Sequence, residues 1–375
     1  MKNRPIRILQ ITGGMNMGGI ENFIMNIYRN IDRNKIQFDF LIHQEEKQIF
    51  EDEINFLGGK VFRIPSLAKV GHFKYLKGLR DFFLSHQEYQ IIHSHYNTIS
   101  GIILKEARKC SIKNRISHSH TAYPKYKLLE SIYKNYSKYL LRKNATEYLT
   151  CSKEAGEWLY GKNKKFKIIK NGIDINKFLF DEKIRKSERE KLGMKEFSIL
   201  CLGRLSKEKN HMFLLEVMEE INKKEKDITL YIVGMGILEN QLKQEVKNRK
   251  LENVKFLGVQ KEVYKLLNAM DLMVFPSIYE GLGIVAIESQ SNGLTVLASE
   301  NIPDEADMKA GLFYKFNLSS GAEKWARKIL ELKSTIVRKK IKEQEVILLK
   351  SEYNIKKIVQ EIENLYLEKY KRREN

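Results

Sequence analysis

Short β-branched apolar runs alternate with longer amphipathic stretches along the first half of the chain. Ile6–Thr12 (IRILQIT) predicts a buried strand. After a Gly-rich turn, Ile20, Phe23, Ile24, Ile27 and Ile31 recur at helical spacing and predict a helix over Ile20–Ile31. Phe38–Ile42, Lys60–Ile64, Ile91–His95 and Arg115–His120 predict further strands, separated by helical segments such as His72–Leu84. Strand alternating with helix implies βαβ units and a parallel sheet. The second half repeats the pattern, with strands predicted at Ser198–Gly203, Thr229–Gly234, Val254–Leu257, Leu272–Pro276 and Thr295–Ala298. Helices are predicted between them at Asn210–Asn222, Leu238–Arg249, Val263–Ala269 and Gly283–Ser291. The economical architecture is α/β, two successive parallel-sheet domains joined near 165–195, the first taken as 1–165 and the second as 166–352. Phe180–Lys195 is charge-rich and apolar-poor and reads as part of the connection. The tail Tyr353–Lys371 predicts an amphipathic helix with Ile355, Ile358, Ile362, Leu365 and Leu367 on one stripe, which must pack on something.

Composition narrows the class. The 375 residues are 42% hydrophobic with 5 prolines, enough for packed cores in two domains. No apolar run approaches the ~20 residues that span a bilayer, and MKNRPIRILQIT is too short and interrupted in its apolar part for a signal peptide. Cys110, Cys151 and Cys201 are far apart and form no CxxC pair, which argues for a reducing cytosol and against a disulfide scaffold or structural zinc. The net charge is +20, and it is uneven: residues 1–170 carry 30 basic and 15 acidic groups, residues 171–375 carry 37 and 32. A positive first half fits a nucleic-acid binder, and equally an enzyme working beside anionic lipid or on phosphorylated substrates.

Three strand-end constellations carry chemistry. Gly13–Gly19 (GGMNMGG) opens the first helix, where glycines let a ligand approach the backbone and free N–H groups suit an anion. A plain tight turn would need the same glycines, and neither GxGxxG nor GxxxxGK[ST] occurs. Gly203-Arg204-Leu205 with Lys209-Asn210 places two cations around a helix start, suited to a diphosphate or to a solvated basic loop. Phe275-Pro276-Ser277 ends a strand, and Glu280-Gly281-Leu282-Gly283 leads into a helix from Ile284 that carries Glu288. Carboxylates accept from vicinal hydroxyls, so Glu280 and Glu288 suit a hexose and a ribose on either side of a diphosphate held by the loop amides. A glycosidase acid/base pair also wants two carboxylates. The structural alternative has Glu280 capping the helix and Glu288 on its face.

SILCLGRLSKEKN, YIVGMG, VKFLG, FPSIYEGLGIVAIESQSNG, IIKNGIDINKF and GGIEN, in this order-specific combination over essentially the whole chain, resemble glycosyltransferase family 4, and most of all its bacterial exopolysaccharide, capsule and O-antigen members. The resemblance implies a GT-B fold of two Rossmann-like domains facing a cleft, with a tail helix (353–375) crossing back to the first. It implies metal-independent transfer with retention. It matches Arg204 and Lys209 to the diphosphate-binding pair, Glu280 to the donor-sugar contact and Glu288 to the ribose contact. Gly203, Gly234, Gly281, Leu282, Gly283 and Ile284 join the donor site, and Gly18 and Gly19 match the loop at the reaction centre. The nucleotide sugar falls to the second domain and the acceptor to the first.

Histidines form two HSH triplets, His93/His95 and His118/His120, each with both imidazoles on one strand face. Zinc would want further ligands. The second triplet falls where the family has a histidine beside the donor's anomeric carbon, which favours His120 over His118; His93 and His95 read as fold residues. The ten aspartates include no DxD, so the leaving diphosphate must be neutralised by Arg204, Lys209 and the helix dipole, and no metal or cofactor is expected. Tyr123–Lys143 interleaves six basic residues with five tyrosines, which suits an anionic bilayer surface or an ordinary half-buried helix. The expected activity is therefore hexose transfer from a UDP- or GDP-sugar to a hydroxyl of an acceptor, expected to be an undecaprenyl-diphosphate-linked glycan, by a cytoplasmic enzyme peripheral on the inner membrane face, with no nucleic-acid partner. Its rivals are a nucleotide-sugar 2-epimerase or hydrolase, and a non-catalytic basic nucleic-acid binder.

Overall fold

Each apolar run of the first half enters one parallel sheet. The computed structural model describes residues 4–16, 18–120, 128–194, 197–338 and 352–371. Its first sheet comprises β1 (Ile6–Ile11), β2 (Ile36–Ile42), β3 (Val61–Arg63), β4 (Ile91–Ser94), β5 (Asn114–Ser119), β6 (Glu147–Thr150) and β7 (Lys167–Ile168), in the order β3-β2-β1-β4-β5-β6-β7. All neighbours are parallel. Helices cover both faces, so β2 is buried along its whole length. The one carboxylate on that strand, Asp39, is satisfied by Arg7 Nε (2.5 Å), the Tyr89 hydroxyl (2.7 Å) and the Lys60 amide (2.7 Å).

The second sheet is β8 (Phe197–Leu202), β9 (Ile228–Val233), β10 (Val254–Gly258), β11 (Leu272–Phe275), β12 (Thr295–Ser299) and β13 (Phe313–Phe316), ordered β10-β9-β8-β11-β12-β13 and again parallel. Its core gathers Ile199, Leu230, Ile232, Val274 and Leu297 with Leu214, Met218 and Ile221 of the helix His211–Asn222 and Trp325 of the helix Ala322–Thr335.

The two compact units divide at Ile173/Asp174, with the tail from Glu352 belonging to the first. The expected boundary at 165/166 is too early. Lys167–Ile168 still pairs with β6, and Ile173 exchanges backbone hydrogen bonds with the tail, accepting from Ile355 N (3.1 Å) and donating to Tyr353 O (2.9 Å). Phe180–Lys195 is no mere connection: Glu182–Lys191 is a helix, capped by Asp181. Arg185 and Arg189 of that helix both reach Asp271, at 2.5 and 3.1 Å. Ion pairing, which apolar periodicity does not register, fastens it to the second unit.

The tail helix Ile355–Lys371 buries Ile355, Ile358, Val359, Ile362 and Tyr366 in the core that holds Phe23, Ile24 and Ile27. Leu365 and Leu367, expected on the stripe, are only partly buried. Glu363 accepts from the Asp32 amide at 2.7 Å, and Lys369 forms an ion pair with Glu147. Of the basic segment Tyr123–Lys143, residues 123–127 lie outside the described residues; the rest belongs to the helix Leu128–Asn144, whose Leu140 and Leu141 are buried while Ile132, Tyr136 and Tyr139 are exposed.

Because Ile362 is fully buried between the tail helix and the first sheet, Ile362→Ala removes packing and leaves a cavity. Its expected cost is about 2–5 kcal/mol of stability in urea titration. A change under about 0.5 kcal/mol would show that the tail does not belong to this core.

Candidate active site

In the second unit the strand order reverses between β8 and β11, and the loops leaving the carboxyl ends of those two neighbours bound a crevice. After β8 come Gly203 and Arg204, then a single turn Lys207–Lys209, and Asn210 in the left-handed region (φ 58°) begins the helix His211–Asn222. After β11 the chain passes Pro276 and Ser277 to Glu280, and Gly283 (φ 80°) starts the helix Ile284–Ser291. Several contacts join the loops. The Ile278 amide donates to the Glu208 carbonyl at 2.8 Å, and the Lys209 ammonium forms an ion pair with the Glu280 carboxylate. The two side chains are only 20% and 15% exposed. Glu280 also accepts from the Ser277 hydroxyl at 3.2 Å, and the Lys209 ammonium lies 4.9 Å over the Phe275 ring. Glu280 is therefore not a helix cap: the cap position belongs to Gly283, which makes no side-chain bond there.

Glycine is needed where these loops crowd. A Cβ on Gly234 would stand 2.0 Å from the Gly203 carbonyl oxygen, so any side chain there would push the β8 and β9 ends apart. The Lys209 stem passes over Gly203, 3.1 Å from where a Cβ would be. Gly283 supplies a left-handed turn that L residues resist. Gly281 and Ile284 are partly exposed beside it while Leu282 is buried, anchoring the loop, and the first amides of the helix lack intrahelical partners. Arg204 is exposed and makes no ion pair among the described residues. Glu288 is half-buried on its helix and has no hydrogen-bond partner for its carboxylate among the described residues. Burial pushes its carboxyl up to about 7, with Lys177 opposing. Ser277 and Phe275 were visible in the sequence only as a strand end; their contacts with Glu280 and Lys209 make them part of the site.

In the first unit Gly18 and Gly19 open the helix Gly19–Asn30, and the Gly18 carbonyl accepts from the Asn22 side chain at 2.9 Å. The two histidine triplets, of which His118/His120 were the reaction-centre candidates and His93/His95 read as fold residues, form one cluster because β4 and β5 are neighbours. His120 Nε2 lies 2.8 Å from His95 Nδ1, His95 Nε2 lies 2.9 Å from Gln10 Oε1, and His93 Nδ1 lies 2.6 Å from the Tyr366 hydroxyl. Phe23 packs on His95, His118 and His120. His95 is thus the hydrogen-bond partner of His120, while His93 lies beside His95 and His118 and bonds to Tyr366 in the core. Burial lowers all four, His93 and His120 to about 3, so the cluster is neutral at physiological pH. Any role of His120 is that of a neutral imidazole.

Residues 17–177 match the family model described as Glycosyltransferase Family 4, and residues 182–346 match Glycosyl transferases group 1. The chain is 29% identical to the EpsF protein of Bacillus subtilis (strain 168) over 88% of both chains. It is 25% identical to the capsular polysaccharide biosynthesis glycosyltransferase CapH of Staphylococcus aureus, over 97% of this chain and 99% of CapH. It is 29% identical to the Escherichia coli UDP-Gal:alpha-D-GlcNAc-diphosphoundecaprenol alpha-1,3-galactosyltransferase, over 64% of this chain and 66% of that one. Among solved structures it resembles Anabaena Alr3699/HepE in complex with UDP and glucose, with TM-score 0.79, 18% identity, and coverage of 97% of this chain and 100% of that one, a likeness of fold.

The raised carboxyl of Glu288 makes its burial costly only when ionised. The penalty is absent below the unfolded value near 4.5 and is complete above about 7. Glu288→Gln is therefore expected to stabilise the ligand-free protein by about 1–3 kcal/mol at pH 8 and by almost nothing at pH 4.5, read as melting temperatures at the two pH values. An equal difference at both would refute the burial assignment.

Proposed function

The chain belongs to the family 4 glycosyltransferases, and we propose that it moves a hexosyl unit from a UDP- or GDP-sugar to a hydroxyl of a lipid-linked glycan during polysaccharide biosynthesis, with retention and without a divalent ion. The observation that carries this is Lys209 held against Glu280 at the crevice of a parallel sheet. A cation and a carboxylate in contact there offer adjacent sites for the two chemically different parts of a nucleotide sugar, the diphosphate and the hexose hydroxyls.

Within that reading Lys209 and Arg204 meet the diphosphate, joined by the free amides at the start of Ile284–Ser291. Their charge stands in for the metal that a DxD enzyme would recruit. Glu280 accepts from hexose hydroxyls. Glu288 accepts from the ribose, and binding through the carboxylate is favoured above pH 7, where it is ionised. As the anomeric carbon–oxygen bond breaks, negative charge grows on the phosphate oxygen beside Lys209. We assign no protein base: the departing phosphate takes the proton of the acceptor hydroxyl on the same face. In the first unit His120 packs on Phe23 of the helix that Gly18 and Gly19 open, and is available there as a neutral imidazole.

The Escherichia coli relative takes UDP-Gal and a diphosphoundecaprenol-linked sugar, which supports a lipid-linked acceptor here. The basic first unit suits such an anionic acceptor. Its helix Leu128–Asn144 exposes Ile132 (63%), Tyr136 (44%) and Tyr139 (51%) along with Arg142 and Lys143, a composition suited to resting on anionic lipid at the inner membrane face. Among the described residues no helix is long and apolar enough to cross a membrane.

Radiolabelled UDP- and GDP-sugars incubated with the protein and membranes should place label in the lipid extract. Glu280→Gln should lower that turnover about 10²–10³-fold while leaving the circular dichroism unchanged. Epimerised or merely hydrolysed donor would favour the isomerase or hydrolase alternative. Unchanged turnover in Glu280→Gln, or salt-sensitive retention of DNA in place of transfer, would overturn the assignment.

A further inference from the structure

Four of the eight histidines of the chain meet in the first unit, and the cluster contains more buried nitrogen than the protein can satisfy. His93 Nε2, both nitrogens of His118 and His120 Nδ1 are buried without a hydrogen-bond partner among the described residues. A buried polar atom left unpaired has lost its water without replacement. Four in one place, on stacked or tilted rings with centroids 4.1 to 5.4 Å apart, ask for a common partner.

The hydrogen bonds that do exist arrange lone pairs toward one another. Gln10 directs its amide nitrogen at the Tyr366 hydroxyl (3.1 Å) and its oxygen at His95 Nε2 (2.9 Å). The His95 proton therefore sits on Nε2 and its lone pair on Nδ1. The 2.6 Å contact between His93 Nδ1 and the Tyr366 hydroxyl runs in either direction with the His93 tautomer; with the proton on Nδ1 the phenol oxygen accepts and the His93 lone pair lies on the unpartnered Nε2. One His118 nitrogen is a lone pair in either neutral tautomer. Hydrogen bonds of this kind behind a ring, from a carbonyl and a hydroxyl, are what orient imidazoles as ligands. One ligand nitrogen from each of His93, His95 and His118 falls within 4.8 Å of the others. Zinc–nitrogen bonds of about 2.0–2.1 Å in tetrahedral geometry set neighbouring ligands about 3.4 Å apart, so ring rotation of roughly an ångström closes the site.

We propose that His93, His95 and His118 form a binding site for a d-block divalent cation of the Zn²⁺ class, with His120 Nε2 turning from His95 to become the fourth ligand. Neutral imidazoles without carboxylates select Zn²⁺, Co²⁺, Ni²⁺ or Cu²⁺ over Mg²⁺ and Ca²⁺. His120 keeps partial exposure and gives the ion its entry. The site shares His120 with the proposed transfer reaction, holds none of the groups at the ends of β8 and β11, and does not rest on that reaction.

The untagged, full-length protein, stripped with chelator, is titrated with Zn²⁺ by calorimetry and with Co²⁺ by visible absorption. One equivalent of each should bind, with the intense ligand-field bands of tetrahedral Co²⁺ and a higher melting temperature. His118→Gln should abolish this site. Tyr366→Phe, which removes one oxygen from the shell behind His93, should weaken it about 10–100-fold. Circular dichroism in chelator establishes that both variants fold. Should His118→Gln fail to fold, Tyr366→Phe and the Co²⁺ spectrum of the unaltered protein still decide. Substoichiometric Zn²⁺, a weak octahedral Co²⁺ spectrum, or binding indifferent to these substitutions would overturn the proposal and leave ordered water as the partner of the unpaired nitrogens.

Discussion

The ion pair between Lys209 and Glu280 holds together two loops that the chain separates by some seventy residues. Each loop alone is polar and glycine-rich and would have little reason to keep one conformation. The charges are mostly withdrawn from water, so losing either partner would strand the other in a poorly solvated place, at a cost of about 3–5 kcal/mol for a fully buried pair. The pair therefore locks the β8 and β11 ends in register, helped by the Ile278–Glu208 backbone bond and by Ser299, whose hydroxyl holds the Ser277 carbonyl at 2.5 Å. The groups at these two strand ends are thus positioned before any ligand arrives.

The first unit solves a different problem. Its sheet is covered on both faces, yet its carboxyl edge carries four histidines and a glutamine. These polar groups are tied to the core through Tyr366, which is buried, packs edge-on to Phe38 and bonds to Gln10 and near His93. The tail helix thus does more than cover apolar surface. It contributes an interior hydroxyl to the polar cluster, which couples the last described helix of the chain to the ends of β1 and β4.

Much of the fold was legible because parallel strands buried on both faces must be continuous apolar runs, as in IRILQI and ITLYIV. Glu147–Thr150, Lys167–Ile168 and Phe313–Phe316 escaped because they are short or lie toward sheet edges, where exposed positions break the run. Glu182–Lys191 escaped for another reason: its hold on the second unit is Arg185 and Arg189 against Asp271, and a charge-rich segment carries no apolar stripe to announce that. At the candidate site the glycines, Lys209 and Glu280 stood out at strand ends, whereas Ser277 and Phe275 did not, since a serine and a phenylalanine at a strand end have many ordinary uses.

By itself the sequence determined which segments are strands and helices, and so placed each chemical group at the carboxyl end of a particular strand. Those are local matters, set by periodicity within a few residues. Tertiary structure alone decided which groups meet. The adjacency of β8 and β11 turned a lysine and a glutamate into a pair, and the adjacency of β4 and β5 turned two histidine triplets into one cluster. Strand order is a property of the whole sheet, and side-chain contact across it depends on residues that the chain keeps far apart.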